Sequence, residues 1–389
     1  MKQCTKRAVF MIKYDRFSGL ENNSMKKNDY KYILWDFDGT VMDSAPGIIA
    51  SAKYALSCYG IIEEDYEVLR TFIGPPLRVS FPKVTGCDDE MTERFIQKYR
   101  QYYHAGAMYE CEIFPGIAEA ARAFRASGYR QYIATSKPKH TCEDILRRKG
   151  IYDMFDGVFG STEDGRIDSK LQVLEEAFRV LDEPERSSFV LIGDTVYDAQ
   201  GAKQAGIDCI GITFGNGSRA ELEENGAAVF DSMQEVCEYI MGDDKEYKFY
   251  GSENALCFPA DERYAAVRNP RHLYDLLCDI WSIESCAPRL RDQWSEENKT
   301  LGQCSITSFL VQDIFAGEVY AVARPGGTVH CYNEASGCTF DLTSEQFGDE
   351  KLCYENILKQ SRQEHFADAD KRARYEYLKK KLDERLGLL

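Results

Sequence analysis

From Tyr30 onward the chain sets short, continuous apolar runs against polar turns. Tyr32-Ile33-Leu34-Trp35 stops in Asp36-Phe37-Asp38-Gly39-Thr40. Runs of the same kind are Gln131-Tyr132-Ile133-Ala134, Phe189-Val190-Leu191-Ile192 and Cys209-Ile210-Gly211-Ile212, each ending in a small or polar loop. Unbroken apolar runs of this length fit strands covered on both faces. Helical stretches lie between them, at 143–148 and 171–181. Strands alternating with helices predict an α/β domain with a parallel sheet. Ligands of such sheets bind outside the carboxyl ends of the strands, where these polar turns sit.

One insertion breaks the alternation. Residues 46–115 read mostly as helix, with Ile48, Ala52, Ala55, Leu56 and Tyr59 on one helical face and a second helix over 95–103. A helical insert at the carboxyl end of a sheet makes a cap. Residues 1–29 have no clear period and are expected to be a loose tail, leaving both Met1 and Met25 open as the biological start. The first domain spans 30–241, a charged, irregular stretch at 242–262 predicts a linker, and a second domain of different texture fills 263–389. That second part predicts a helix over 305–315, strands at 319–323 and 328–332, and a third strand near Phe340-Asp341-Leu342. A charged final helix over 366–387 carries Leu378, Leu382 and Leu386 on one face.

Bulk properties narrow the classes. A chain of 389 residues is too long for one ordinary core, and 44% apolar residues are too many for disorder. A formal charge of −16 disfavours a nucleic acid polymer as partner, but leaves a small phosphorylated metabolite open. Fourteen cysteines are scattered without a zinc-type spacing, which fits a reducing cytoplasm. No apolar run is long enough to span a membrane. Oligomeric state is not legible.

The chemistry gathers at the strand ends. Asp36 and Asp38 flank one residue after the first strand; Asp194 and Asp198 repeat the situation after the third. Close buried carboxylates repel unless a cation joins them, and an all-oxygen cluster suits Mg²⁺. Thr135, with Ser136 following it, ends the second strand and can donate to a phosphoryl oxygen. Lys170 opens the helix after Gly165-Arg166-Ile167-Asp168-Ser169 and can neutralise both substrate and nucleophile. Arg78 reads equally as a cap contact or a plain surface arginine.

Four ordered pieces resemble the haloacid dehalogenase superfamily: Asp36-Phe37-Asp38-Gly39-Thr40, Thr135, Lys170, and Gly193-Asp194 through Asp198. Phe72-Ile73-Gly74-Pro75-Pro76-Leu77, Phe114-Pro115-Gly116 and Ala134-Thr135-Ser136-Lys137-Pro138 resemble its phosphoglycolate-phosphatase and 5′-nucleotidase-like subgroup. The resemblance covers roughly residues 30–240. It implies a Rossmann-like core with a helical cap and a phosphomonoester hydrolase for a small metabolite such as a nucleoside monophosphate or phosphoglycolate. It further implies that Asp36 is the nucleophile forming an aspartyl-phosphate, and that Asp38 is the general acid and base. Asp36, Asp194 and the backbone carbonyl of Asp38 would hold Mg²⁺, and Asp198 would steady the metal waters or Lys170.

In the second domain, Cys304 is expected at a helix N-terminus, where a thiol's pKa falls, with His330 and Asp341 on following strands. The order Cys, His, Asp on helix, strand, strand is that of papain-like and transglutaminase-like α+β folds. Gly302-Gln303-Cys304, His330-x-Tyr332-Asn333, Asp341-Leu342-Thr343 and Gln346-Phe347 resemble the YunG-like family, which brings no established reaction. Two readings stay open for this domain: thiol-dependent amide or thioester chemistry at Cys304, His330 and Asp341, or a binding module that positions the phosphatase.

Overall fold

The structure, a computed structural model, describes residues 30–389 apart from Glu163, Gly165, Pro184, Asp243 and Asp244. The expected tail 1–29, with Met25, lies outside the described residues. The strands in chain order are β1 (Tyr32–Trp35), β2 (Met42–Asp43), β3 (Glu112–Ile113), β4 (Arg130–Pro138), β5 (Gly157–Ser161), β6 (Phe189–Gly193), β7 (Asp208–Ile212) and β8 (Ala228–Phe230). The second part adds β9 (Glu318–Arg324), β10 (Thr328–Ala335), β11 (Cys338–Phe340) and β12 (Leu358–Lys359).

Six of these form a parallel sheet in the order β5-β4-β1-β6-β7-β8. Side chains alternate along each strand, so the sheet is apolar on both faces. Ile33, Trp35, Ile133, Val190 and Ile192 point into one core, and Leu34, Tyr132, Ala134, Phe189 and Leu191 into the other. The four expected strands are all present. The two that escaped the apolar-run criterion, β5 and β8, are the short edges: Gly157-Val158-Phe159-Gly160-Ser161 is broken by glycines, and Ala228-Val229-Phe230 is only half-buried. An edge strand needs no second apolar face, so its pattern is weak.

The cap leaves the sheet between β2 and β3, which pair antiparallel at its root. Its helices Ala45–Ser57 and Asp89–His104 pack on each other. The face expected to reach Tyr59 ends at Ser57; Tyr59 lies in the following turn, 37% exposed, with its ring edge against Phe95. Gly47 stands in the first turn of the first cap helix, where a Cβ would lie 2.0 Å from the Ala107 carbonyl oxygen. Its N–H donates to the Glu110 carbonyl at 3.2 Å, so backbone meets backbone at the cap root.

The second part is a separate α+β unit with an antiparallel sheet in the order β11-β10-β9-β12. Helix Cys304–Phe315 lies against β10, and Ile306, Leu310 and Ile314 are buried with Leu378 and Leu382 of the final helix, Ala369–Leu386. Residues 245–262, expected as a linker, are charged outside but anchored inside. Phe249, Ala255 and Cys257 belong to the second core, whereas Phe258 belongs to the first. Glu238 accepts from Asn269 at 2.9 Å and pairs with Arg271 at 3.0 Å across the same junction. The charge run masked these anchors because they are spaced irregularly. Gly47→Ala should destabilise the fold by the roughly 1–3 kcal/mol typical of overpacking, read by circular dichroism as a lower thermal unfolding midpoint. An unchanged midpoint would mean the cap root moves freely.

Candidate active site

The pairing of β1 with both β4 and β6 brings three strand ends together. Asp36 follows β1 directly, its N–H donating to the Ile192 carbonyl at 2.8 Å. The chain then turns tightly, with the Met42 N–H donating to the Phe37 carbonyl and the Gly39 N–H to the Met42 carbonyl. Gly39 has φ +89°, and a Cβ there would fall 2.2 Å from Asp194 Oδ2. Only glycine satisfies both demands.

Asp194, at the end of β6, is fully buried. Thr40 Oγ1 donates to its Oδ1 at 3.1 Å and the Asn216 N–H to its Oδ2 at 2.7 Å. Asp198 lies in the first turn of helix Val196–Ala205 and accepts from the Thr195 N–H at 3.0 Å and the Thr195 hydroxyl at 2.8 Å. Lys170 opens helix Lys170–Leu181, whose start is set by a capping box of Ser169 with Gln172. Its ammonium donates to Asp36 Oδ1 at 2.5 Å and to the Ala134 carbonyl at 2.9 Å, and pairs with Asp198 at 2.8 Å.

Carboxylate oxygens of Asp36, Asp194 and Asp198 lie within 4.8 Å of one another. Burial and then the Asp198 charge push the Asp36 pKa up to about 7, against the pull of Lys170. Burial, Asp198 and Asp36 likewise hold Asp194 well above the usual carboxylate range. Burial works against the Lys170 charge, but Asp198 and Asp36 outweigh it and keep the ammonium protonated. One lysine facing three buried carboxylates leaves an excess of negative charge that a divalent cation would offset. The donors are all oxygen, the set that hard cations take. The residues present therefore fit Mg²⁺.

Asp38 behaves differently from its neighbour. Its carboxylate accepts both oxygens' worth of bonding from Lys137, at 2.8 and 2.9 Å, and a further bond from Ser44 Oγ at 2.5 Å. Its side chain thus turns away from the acidic cluster, and only its backbone carbonyl remains for a metal role. Lys137 is itself buried; burial would discharge it, but Asp38 and then Tyr103 and Tyr99 hold its pKa well above that of an ordinary lysine. Thr135 is buried at the mouth of the cluster and accepts from the Lys137 N–H at 3.2 Å; Ser136 lies beside it.

A cavity of about 430 Å³ opens above Asp36. Its floor is Asp36, Asp38, Thr135, Ser136, Lys170 and Asp198, and its roof comes from the cap, with Pro75, Pro76, Tyr99, Arg100, Tyr103 and His104. Arg78 also lines it but is paired with Glu93 at 2.8 Å. Sequence reasoning gave no role to Lys137, Asn216 or Arg100. Lys137 stood within a quoted motif, yet only folding shows its partner, 99 residues earlier. Nothing local marks Asn216 or Arg100.

Residues 33–212 match the family described as haloacid dehalogenase-like hydrolase, and residues 269–387 match the YunG protein family. A 5′-nucleotidase of Pseudomonas aeruginosa is 36% identical over 196 residues, half of this chain and 87% of that protein. The tyrosine-protein kinase PtkA of Mycobacterium tuberculosis is 32% identical, over 52% of this chain and 71% of its own length. Among solved structures, a predicted phosphatase from Clostridium acetobutylicum is 36% identical with a TM-score of 0.53, covering 55% of this chain and 98% of its own. The chain belongs to the haloacid dehalogenase-like hydrolases, with a catalytic domain of their phosphatase type and a YunG domain after it.

Proposed function

We propose that the protein is a magnesium-dependent phosphomonoesterase that forms an aspartyl-phosphate on Asp36 and acts on nucleoside 5′-monophosphates. The observation that supports this is the cavity: Asp36, Thr135, Ser136 and Lys170 line its floor, groups suited to a phosphoryl ester, under an aromatic and cationic roof, in a volume of about 430 Å³. That volume lies in the range of sites for drug-sized ligands. A two-carbon acid such as phosphoglycolate would leave most of it empty, whereas a nucleoside fills it and has a base to lay against Tyr99 and Tyr103. The likeness to a 5′-nucleotidase points the same way.

The carboxylates of Asp36, Asp194 and Asp198 would hold the cation, with the Asp38 backbone carbonyl. Bound Mg²⁺ supplies positive charge to the carboxylates and to the phosphoryl oxygens. Lys170 fixes Asp36 Oδ1 and so presents the other oxygen to phosphorus. The bond from Asp36 to phosphorus forms as the ester P–O bond breaks. Asp38 gives its proton to the departing ribose oxygen. Water then attacks the aspartyl-phosphate while Asp38 takes its proton, releasing inorganic phosphate. The Thr135 hydroxyl and the Ser136 N–H orient the phosphoryl group. Lys137 and Ser44 hold the Asp38 carboxyl toward the cavity, and the entering phosphoryl group competes for the Lys137 ammonium.

Asp36→Asn should reduce phosphate release from a nucleoside 5′-monophosphate by about 10³-fold or more, because both displacements pass through this oxygen. EDTA should abolish release by the wild type, and added Mg²⁺ should restore it; release unaffected by either change sinks the mechanism. Lys137→Met should lower kcat by roughly 10–10²-fold, the scale of a misplaced general acid, with the fold checked by circular dichroism. Arg100→Ala should raise KM for nucleoside monophosphates about tenfold and leave that for p-nitrophenyl phosphate unchanged. Equal changes for both esters would remove Arg100 from substrate recognition.

A further inference from the structure

The YunG domain holds a second constellation that phosphoryl chemistry does not use. His330, on β10, is 2% exposed, and its Nε2 lies 2.5 Å from Asp341 Oδ2. Asp341 is held rigidly: the Thr343 N–H and hydroxyl donate to its Oδ1 at 3.0 and 2.9 Å, and the Tyr354 hydroxyl to its Oδ2 at 2.8 Å. The Phe347 ring stands edge-on to the imidazole, 4.6 Å between centroids. With Nε2 committed to Asp341, the other nitrogen remains. Nδ1 is buried and makes no hydrogen bond. An unpaired polar atom in a core costs about 1–3 kcal/mol, so its persistence points to a role.

Cys304, the first residue of helix Cys304–Phe315, which packs on β10, lies close enough to His330 for each to act on the other's charge. The first turn of this helix has no side-chain cap. Its N–H groups therefore remain available to an anion. Cys304 is half-buried as a residue, whereas His330 and Asp341 are almost fully buried. The charges agree with the geometry. Burial draws the His330 pKa down, but Asp341 and then Cys304 outweigh it and raise it to about 10. Hydrogen bonding with Cys331 and the His330 charge, against the cost of burial, hold the Cys304 thiol well below an ordinary cysteine. Cys331, Tyr354 and His365 also face this region, as do Lys371 and Arg374 from the final helix. His365 is neutral there, its pKa lowered to about 4 by burial and by Lys371 and Arg374.

We propose that Cys304, His330 and Asp341 form a second active site, which hydrolyses an acyl group held in amide or thioester linkage. The Cys304 sulfur adds to the carbonyl carbon, and the oxyanion rests on N–H groups of the first helical turn. Collapse breaks the C–N or C–S bond, and the His330 proton passes to the leaving amine or thiol. Water then adds to the acyl-cysteine, His330 takes its proton, the carboxylic acid leaves and the thiolate returns. Asp341 orients the imidazole. This activity is independent of the phosphatase reading: none of its residues belongs to the Asp36 site.

The test uses the full chain. Iodoacetamide is applied at pH 6 and the modified peptides are quantified by mass spectrometry, with the exposed Cys58 as internal reference. Cys304 should react about tenfold faster than Cys58 or more, because it is a thiolate where an ordinary thiol is protonated. His330→Gln should cut its rate to that of Cys58. p-Nitrophenyl acetate should leave an acetyl group on Cys304 in the wild type, and Cys304→Ser should lose the burst of nitrophenol while releasing phosphate from its ester at the wild-type rate. Labelling of Cys304 no faster than Cys58 overturns the proposal, even if His330→Gln fails to fold. Fast labelling with no acetyl group on Cys304 overturns the acyl chemistry.

Discussion

Three carboxylates, those of Asp36, Asp194 and Asp198, share one buried space with a single lysine, and much of the first domain is arranged around that fact. Bringing like charges together away from water is unfavourable, and the pKa values of Asp36 and Asp194 are pushed up accordingly. The fold tolerates this because each group is held from several sides. Asp194 has Thr40 and the Asn216 N–H, Asp198 has Thr195, and Asp36 has Lys170. What these bonds do not supply is enough positive charge. The unbalanced negative charge that remains is of the kind a bound cation offsets.

Around this cluster the structure separates two tasks. The sheet, with its strands apolar on both faces, fixes the reacting groups on rigid strand ends. The cap supplies the variable part, and its contact with the core at Gly47 is backbone against backbone. Lys137 sits between them. It reaches Asp38 below while its ammonium lies 4.9 Å from the centre of the Tyr103 ring of the cap.

The two domains share one physical device: in each, the first residue of a helix lies beside an oppositely charged partner carried by, or just after, an interior strand, Lys170 against Asp36 and Cys304 against His330. The segment over 245–262 joins them without slack, since Phe258 is buried in one core and Phe249 and Cys257 in the other.

Some of this was legible in residues alone. Unbroken apolar runs identified β1, β4, β6 and β7, because strands covered on both faces carry no alternation. The spacing of Asp36, Asp38, Asp194 and Asp198 around strand ends pointed to a cluster of carboxylates; the fold gathers Asp36, Asp194 and Asp198, while the Asp38 carboxylate turns to Lys137. The order of Cys304, His330 and Asp341 was also readable; the structure sets Cys304 at a helix start, His330 within β10 and Asp341 just after β11. Tertiary structure alone decided the partners. That Lys137 binds Asp38, that Asn216 caps Asp194, that residues 245–262 are anchored and that Arg100 enters the cavity are all long-range contacts. Periodicity encodes which face of an element is buried, but not which element it meets, because the energy of burial does not depend on the identity of the neighbour.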